Sequence, residues 1–411
     1  MHIGITISLG SKKESMWING IKLNALFLSK ALQAAGYKVT VLDTGSKLDK
    51  ITKDSVVWDL KEYPTKKFKD SEKKLEVDLL IMLGTSFKGD AIKTWKSKKP
   101  GRKAIKYHCG NNYVIDMERC FFPKKGGAEA GFTAFQRGMV DEIWYVPQQG
   151  VQNRHYYSVL YELPLDKVIP VPFIWDPCFL DEDVARKEDL LKEGKVEGGI
   201  PIYVPGKKKE NLKFCIFEPN MNVVKNSMIP MLITELWKRD GLGSNEVNLM
   251  STSNLLKNSY WKSLIEQLDL CAPGDVTLNC FARYPVIETL SKRADIVLSH
   301  QWENPLNYSY LDVLYLQYPL VHNADMIKDA GYYYEGFNIH EGYEQLKIAA
   351  DTHDSNLEEY NERSEKVLNR YTVYNEGLLD LYKILVDDLM SGNRSSDLSY
   401  EYDWKTNLYK K

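Results

Sequence analysis

Two kinds of pattern alternate along the first part of the chain. His2 to Leu9 is a short apolar run ending at Gly10 and Ser11, as expected of a strand buried on both faces. After a polar loop, Leu23, Leu26, Phe27, Ala31 and Leu32 recur mostly three or four residues apart between Gly20 and Ala35, which predicts an amphipathic helix. Gly36 stands where a left-handed residue closes such a helix, and Lys38 to Leu42 reads as the next strand. Strand, loop, helix, glycine, strand is the unit that opens a doubly wound parallel sheet. Further strands are predicted at Ser55 to Leu60, Val77 to Gly84, Lys103 to His108 and Glu142 to Pro147, with helices around Gly89 to Lys96 and Glu129 to Met139.

Val168 to Pro177 contains Pro170, Pro172 and Pro177 and reads as an extended crossing between domains. Asp181 to Pro205 is highly charged and then glycine-rich, the pattern of an insertion or a flexible hairpin. A second alternating series starts at Leu212. Its strands are Lys213 to Phe217, Val247 to Met250, Val276 to Phe281, Ala294 to Leu298 and Tyr318 to His322. Helices are expected at Ser227 to Arg239, Leu255 to Leu268, Val286 to Arg293 and from Asn307, then at Met326 to Ala330, at His340 to Ala350 and along a tail from Leu357 to Met390. The implied division is residues 1–175, a linker or insertion at 176–211, a second domain at 212–375, a helix at 376–392 returning to the first domain, and a loosely held polar tail at 393–411. This is an α/β chain of two Rossmann-like domains facing a central cleft.

Composition narrows the classes. The 44% hydrophobic and 27% charged content is that of a soluble globular protein, and 411 residues suit two domains. The net charge of −2 gives no global basic field for nucleic acid. Lysines do cluster locally, at Lys66, Lys67, Lys69, Lys73 and Lys74, at Lys96, Lys98, Lys99, Arg102, Lys103 and Lys106, and at Lys207 to Lys209. The six cysteines show no CxxC or CxxH spacing, which excludes a zinc-site pattern and fits reduced thiols. No apolar run reaches membrane-spanning length, so a cytoplasmic location is expected. A G-x-G-x-x-G fingerprint is absent, which disfavours a dehydrogenase.

Polar residues concentrate at two strand ends. Ser299-His300-Gln301-Trp302-Glu303-Asn304-Pro305-Leu306-Asn307-Tyr308 joins a strand to a helix and carries more hydrogen-bonding capacity than a connector needs. Asp312 follows within the first two turns of that helix. It either meets the hydroxyls of a ribose or complements the helix dipole, and spacing alone does not decide between them. Lys225 and Arg283 follow other strand ends, where a diphosphate would need cations; solvent-facing charge is the plainer alternative. In the first half, Tyr107-His108-Cys109-Gly110-Asn111-Asn112-Tyr113 leaves a strand and leads to Asp116. His108 or Asp116 could activate an acceptor hydroxyl, although a lone histidine after a strand is more often structural. His300 and His322 flank the second segment, but no H-E-x-x-H pattern exists and no Asp-x-Asp stands at a strand end, Asp181-Glu182-Asp183 coming closest. No metal and no cofactor are expected.

The second segment resembles the donor-binding motif of GT-B glycosyltransferases, in which two acids eight residues apart precede a Gly-x-Pro-Val stretch. Counting back from Pro319, Asp312 matches the second, ribose-binding acid. The first falls at Asn304, with Glu303 one residue away, and Gln317 stands at the glycine. The Ser299 to Tyr308 stretch, the Phe217-Glu218-Pro219-Asn220 turn and the Tyr107 to Asn111 turn are also similar to a small family of phage and bacterial glycosyltransferase-like proteins of unknown function. Some of its members look like enzymes that add a pentose or hexose to hydroxymethylated cytosine in DNA.

The resemblance implies metal-independent transfer from a nucleotide sugar, a UDP-sugar, to an acceptor hydroxyl. It implies donor-binding roles for Gly10, Lys225, Arg283, His300, Gln301, Asn304, Asn307, Tyr308 and Asp312. Acceptor-binding roles fall to Asn111, Asn112 and Tyr113, and catalytic roles to His108, Asp116 and Glu303. Double-stranded DNA with hydroxymethylated cytosine is one expected partner. A glycan or lipid acceptor, a non-catalytic nucleotide-sugar binding protein and a nucleotide-sugar epimerase are the alternatives.

Overall fold

The computed structural model describes residues 1–18, 20–68, 76–85, 87, 89–122, 136–196, 199–243, 245–393 and 402–409. The chain forms two compact units, Met1–Asp176 with Arg370–Lys411, and Pro177–Asn369.

The first unit is built on a parallel sheet of β1 (His2–Ile7), β2 (Lys38–Asp43), β3 (Thr65–Lys67), β4 (Leu79–Met82), β5 (Lys103–His108), β6 (Glu142–Tyr145) and β7 (Val168–Pro170), in the order β3-β2-β1-β4-β5-β6-β7. Its helices are α1 (Gly20–Ala34), α2 (Gly89–Ser97), α3 (Asn112–Phe121) and α4 (Gly150–Tyr161). The predicted opening βαβ unit is present. Gly36 closes α1 at φ +94°, where the N–H of Tyr37 reaches Leu32 O at 3.0 Å and that of Gly36 reaches Gln33 O at 2.9 Å.

The second unit begins with α5 (Cys178–Lys192). Its parallel sheet contains β8 (Phe214–Ile216), β9 (Val247–Leu249), β10 (Leu278–Cys280), β11 (Ile296–Leu298), β12 (Leu320–His322) and β13 (Tyr332–Tyr333), ordered β10-β9-β8-β11-β12-β13. Helices α6 (Met228–Arg239), α7 (Ser259–Ile265), α8 (Val286–Arg293), α9 (Tyr308–Tyr315), α10 (Ile339–Thr352) and α11 (Leu357–Leu368) accompany it. Both sheets run outward in two directions from their first strand, so each has a point where the strand order reverses: β1 beside β4, and β8 beside β11. The carboxyl ends flanking such a point form the ligand crevice of open α/β sheets.

Several expectations are corrected. Ser55 to Leu60 is not a strand, although Val56 and Trp58 are buried in alternation. The Trp58 indole N–H reaches the Thr65 hydroxyl at 3.0 Å, and it is Thr65–Lys67 that pairs with β2. Val168–Pro170, read as part of an extended crossing, is an edge strand, the one place in a sheet where proline is tolerated. The charged stretch after Pro177 is a regular helix anchored by buried Phe179 and Leu180. Residues 112–121 and 150–161 are helical where only a turn had been expected at the former. The helix expected from Glu129 lies, at residues 129–135, outside the described residues, as do Lys69, Lys73 and Lys74.

The single helix expected from Leu357 to Met390 is two, α11 and α12 (Glu376–Ser391). Asn375 caps α12 by accepting from the N–H of Leu378 at 3.2 Å. Helix α12 belongs to the first unit. The Tyr382 hydroxyl donates to Pro172 O at 2.7 Å, its ring lies 6.1 Å from that of Trp144, and the Tyr37 hydroxyl donates to Asp387 at 2.6 Å. The tail is not all loose, since β14 (Tyr402–Asp403) and β15 (Leu408–Tyr409) form a hairpin. At its turn Asn407 is buried at φ +58°. It accepts from the N–H of Phe173 at 3.0 Å and donates to Phe173 O and Arg370 O, each at 2.8 Å.

One amide side chain therefore holds both segments that enter and leave the second unit. Asn407→Gly keeps the left-handed backbone but strands three buried backbone partners, and should cost the first unit about 3 kcal/mol. The check is the urea midpoint of first-unit unfolding, with Asn407→Ala expected to lose more because alanine adds backbone strain.

Candidate functional site

The crevice of the second sheet is assembled from the loops after β8 and β11. Glu218 lies two residues after β8 and is fully enclosed. Its Oε1 accepts the backbone N–H of His300 at 3.1 Å and the hydroxyl of Tyr310, on α9, at 3.3 Å. The Trp302 N–H donates to Val224 O at 2.9 Å, a second tie between the same loops. Asn220 shapes the turn between them at φ +51°, a conformation asparagine tolerates better than most residues. Its side chain accepts from the N–H of Ser227 at 2.8 Å and donates to the Ser227 hydroxyl at 2.8 Å and to Glu218 O at 2.7 Å. Lys225 is thereby fixed near the start of α6.

Charges at this edge are perturbed. Burial raises the Glu218 carboxyl to about 7, with Lys225 and the His300 N–H opposing the shift. Burial likewise lowers the Lys225 ammonium to about 8, where Glu218 favours the charged form and Arg283 disfavours it. Desolvation also lowers Arg283, which follows β10. Lys225 and Arg283 thus act on one another and lie at the same carboxyl edge. Two like charges held together here are suited to a multiply charged anion.

The residues from 299 to 308 divide by role. Gln301 and Asn304 brace the turn. Gln301 N–H donates to Asn323 Oδ1 at 2.8 Å, its Oε1 accepts the Asn304 N–H at 2.7 Å, and Asn323 returns a bond to Gln301 O at 2.8 Å. Glu303 sits at the tip with φ +57° and is half-buried. Asn307 precedes α9, and its side chain makes no cap hydrogen bond to the helix. Tyr308 and Asp312 are buried, the latter 3% exposed.

His300 is 1% exposed and held near a pKa of about 4 by burial. The Tyr334 hydroxyl donates to Ser299 O at 3.0 Å, so the contact of 3.1 Å between Tyr334 and His300 Nδ1 makes Nδ1 the protonated nitrogen. Nε2 is left as a lone-pair acceptor with no partner. His322 differs. Its Nδ1 accepts the Ala324 N–H at 3.1 Å and its Nε2 meets Ala330 O at 3.0 Å, so both nitrogens are engaged internally. No group of three or more His, Cys, Asp or Glu side chains among the described residues could hold a metal ion. Nor is any helix among them long and apolar enough to cross a membrane.

The first-unit candidates separate as well. His108 is buried, stacked on Tyr157 at 4.2 Å between ring centres, and bonded through Nε2 to the Tyr161 hydroxyl at 3.0 Å. Burial, and after it the neighbouring Lys106, drives its pKa well below the ordinary value. Asn111 caps α3, accepting from the N–H of Val114 at 3.3 Å and from Asn153 at 2.9 Å. Asn112 accepts the Tyr157 hydroxyl at 3.0 Å, while Tyr113 is exposed. Asp116 on α3 is half-buried and accepts the Tyr156 hydroxyl at 2.9 Å. Gly10 lies after β1, its N–H donating to Glu14 at 2.7 Å, in a different unit from the other donor candidates.

Many clustered lysines are paired. Lys67 bonds buried Asp43 at 2.7 Å, Lys99 bonds Asp78 at 2.6 Å, and Lys96 and Lys103 share Asp141. Lys207 and Lys209 pair with Asp295 and Asp351. Sequence reasoning missed Glu218 as a site residue, along with its supports Tyr310, Asn323 and Tyr334. The acid directly after a strand, followed by Pro-Asn, was the visible signal for the first.

Solved structures share the fold. An alpha-glucosyltransferase in complex with UDP and a 13-mer DNA containing an HMU base aligns with a TM-score of 0.57 and 13% identity, over 95% of this chain and 99% of that one. The catalytic domain of starch synthase IV from Arabidopsis thaliana, bound to ADP and acarbose, gives 0.55 and 10%, over 95% and 98%. HepE from Anabaena, in complex with UDP and glucose, gives 0.52 and 10%, over 94% and 100%. A search of curated proteins finds no match. These likenesses establish a GT-B fold of two parallel-sheet Rossmann-like domains. The family described as "Protein of unknown function (DUF2827)" matches residues 3–386, and the chain belongs to that family.

Proposed function

We propose that the chain is a glycosyltransferase that moves a sugar from a UDP-sugar to an acceptor hydroxyl. The observation that carries this reading is the carboxyl edge of the second sheet, where Lys225 follows β8, Arg283 follows β10 and α9 starts without a side-chain cap from Asn307. UDP in two of the structures of the same fold supports a nucleotide diphosphate as that anion.

On this reading Lys225, Arg283 and the first N–H groups of α9 stabilise the diphosphate as it leaves. That is electrostatic stabilisation of charge that grows in the transition state. Asp312 takes the ribose hydroxyls, and the bare Nε2 of His300 accepts from a hydroxyl, a role a protonated imidazole could not fill. With His108 committed to the core, Asp116 is the side chain we assign to acceptor activation. The hydroxymethyl group of a modified DNA base is the first acceptor to test, because DNA with an HMU base accompanies UDP in a structure of the same fold.

The reading is tested by incubating the protein with a panel of UDP-sugars, with and without hydroxymethylated DNA, glycan and lipid acceptors, and following products by mass spectrometry. Consumption of at least one UDP-sugar is expected. No consumption, together with no rise in melting temperature from UDP, would end the proposal. Lys225→Ala should weaken UDP binding about 10- to 100-fold in calorimetry, the loss of a charge-assisted hydrogen bond. Asp116→Asn should lower kcat by about 10²-fold or more with UDP affinity unchanged; an unaltered kcat would move the base elsewhere. For Asp312, the probe is UDP lacking both ribose hydroxyls. Wild type should bind it more weakly than UDP, whereas Asp312→Asn should scarcely distinguish the two.

A further inference from the structure

His300 carries one atom that the protein itself does not use. Its Nδ1–H meets the Tyr334 hydroxyl at 3.1 Å, and that hydroxyl gives its own proton to Ser299 O at 3.0 Å. Nε2 is enclosed and has no hydrogen-bond partner among the described residues. Other buried histidines place the same atom differently. Nε2 of His108 meets the Tyr161 hydroxyl, that of His322 meets Ala330 O and that of His353 meets Gln317 O, at 3.0, 3.0 and 3.1 Å. A buried acceptor left unpaired costs free energy in the empty protein, so the atom marks a place for a ligand's donor.

Two aromatic rings lie against this imidazole. Tyr334 is buried and stacked on it, with 14° between the ring planes. Phe337 meets it edge to face with ring centres 4.7 Å apart, and is 57% exposed where His300 is 1% exposed. Phe337 is thus the ring on the solvent side. Its backbone is pinned on both flanks. Gly336 O accepts from the Asn323 side chain at 2.9 Å, and Asn338 caps α10 by accepting the N–H of Glu341 at 3.1 Å. What residue 337 keeps is rotation of its own side chain, which is fast at an exposed position.

We propose that His300 and Phe337 form a sugar subsite: Phe337 covers Nε2 in the empty protein, then turns aside to pack on a pyranose that donates a hydroxyl to Nε2. A lone pair repels an anion, and a purely apolar ligand would leave the acceptor unpaired. An aromatic ring beside one acceptor fits a ligand with a C–H face and an O–H rim, and a pyranose has both. A uracil edge would bring carbonyl oxygens to either side of its N–H, and the Tyr334 hydroxyl has no proton left for them. That the pyranose arrives on UDP rests on the function proposed above; the cover over Nε2 does not.

The cover is tested with diethyl pyrocarbonate, which acylates an unprotonated imidazole nitrogen that it can reach. The full chain is treated at pH 7, and His300 is followed by peptide mass spectrometry against the exposed His155 and His340 as references. Phe337→Ala truncates an exposed side chain, so the core stays intact. It should label His300 about tenfold faster than wild type with the references unchanged. Equal rates would overturn the proposal.

The ligand is tested by calorimetry with UDP, UDP-glucose, UDP-galactose and UDP-N-acetylglucosamine. Phe337→Ala loses the packing surface and lets water compete for Nε2, while His300→Phe keeps a ring and removes the acceptor. Each should weaken the best-bound UDP-sugar about tenfold and leave UDP within about twofold. Equal losses for UDP and UDP-sugar would put the nucleotide against these residues, and the proposal would fall. If neither UDP nor any UDP-sugar binds even to wild type, the donor reading fails by itself. The subsite then stands if free glucose, galactose or N-acetylglucosamine slows His300 labelling in Phe337→Ala, and falls if none does.

Discussion

The carboxyl edge of the second sheet is governed by the need to satisfy one buried carboxylate. Glu218 is placed by the chain two residues after β8, in the middle of the sheet, where water cannot compensate its charge. Its Oε1 accepts from a different loop and a different helix, the His300 N–H and the Tyr310 hydroxyl, while Oε2 has no hydrogen-bond partner among the described residues. Satisfying the acid thus brings the loops after β8 and β11 together and fixes how α9 leaves the sheet. Everything nearby is arranged around that constraint. Asn220 bends the chain so that Lys225 comes back toward Glu218, and Gln301 with Asn323 holds the far side of the turn.

The two units use the same topology for different purposes. In the second, Lys225 follows β8 at the reversal point, and α9 beyond β11 starts without a side-chain cap from Asn307. In the first, Asp43 at the end of β2 accepts the N–H groups of Leu9 and Gly45 at 3.0 and 2.9 Å and pairs with Lys67, so charge at that edge is cancelled internally. In the His108 region, Tyr161 meets His108, Tyr157 donates to Asn112 and Asn153 donates to Asn111, with Lys106 and Asp116 nearby.

The fold was legible because buried parallel strands and amphipathic helices leave opposite patterns in the chain, and the opening βαβ unit with Gly36 shows both. What escaped were segments whose structure depends on distant partners. Thr65–Lys67 is too short and too polar to read as a strand until β2 is beside it, and the tail hairpin exists because Asn407 meets Phe173 and Arg370. Site residues followed the same rule. The polar turn from Ser299 to Asn307 was visible as excess hydrogen-bonding capacity, but that capacity divides into bracing by Gln301 and Asn304 and a remainder at His300. No local pattern distinguishes the two. His108 looked available because its partners Tyr157 and Tyr161 lie about fifty residues away, on the far side of a helix boundary.

One departure from the glycosyltransferase motif resolves at the level of the backbone. Gln317 occupies the position where the motif has glycine, and its φ is +65°. Helix α9 closes there with the Tyr318 N–H bonded to Val313 O and the Gln317 N–H to Leu314 O, both at 3.1 Å, the paired arrangement of a Schellman cap. The motif's glycine is thus explained by the left-handed residue such a cap requires, and glutamine meets the same geometry at a cost of about 1 kcal/mol. Because the cap is retained, the distance along the chain from α9 to Pro319 is set by hydrogen bonding and not by the identity of residue 317. Asn304 in place of the first acid has a different standing, since its backbone is bound to Gln301 and nothing in that bond calls for a carboxylate.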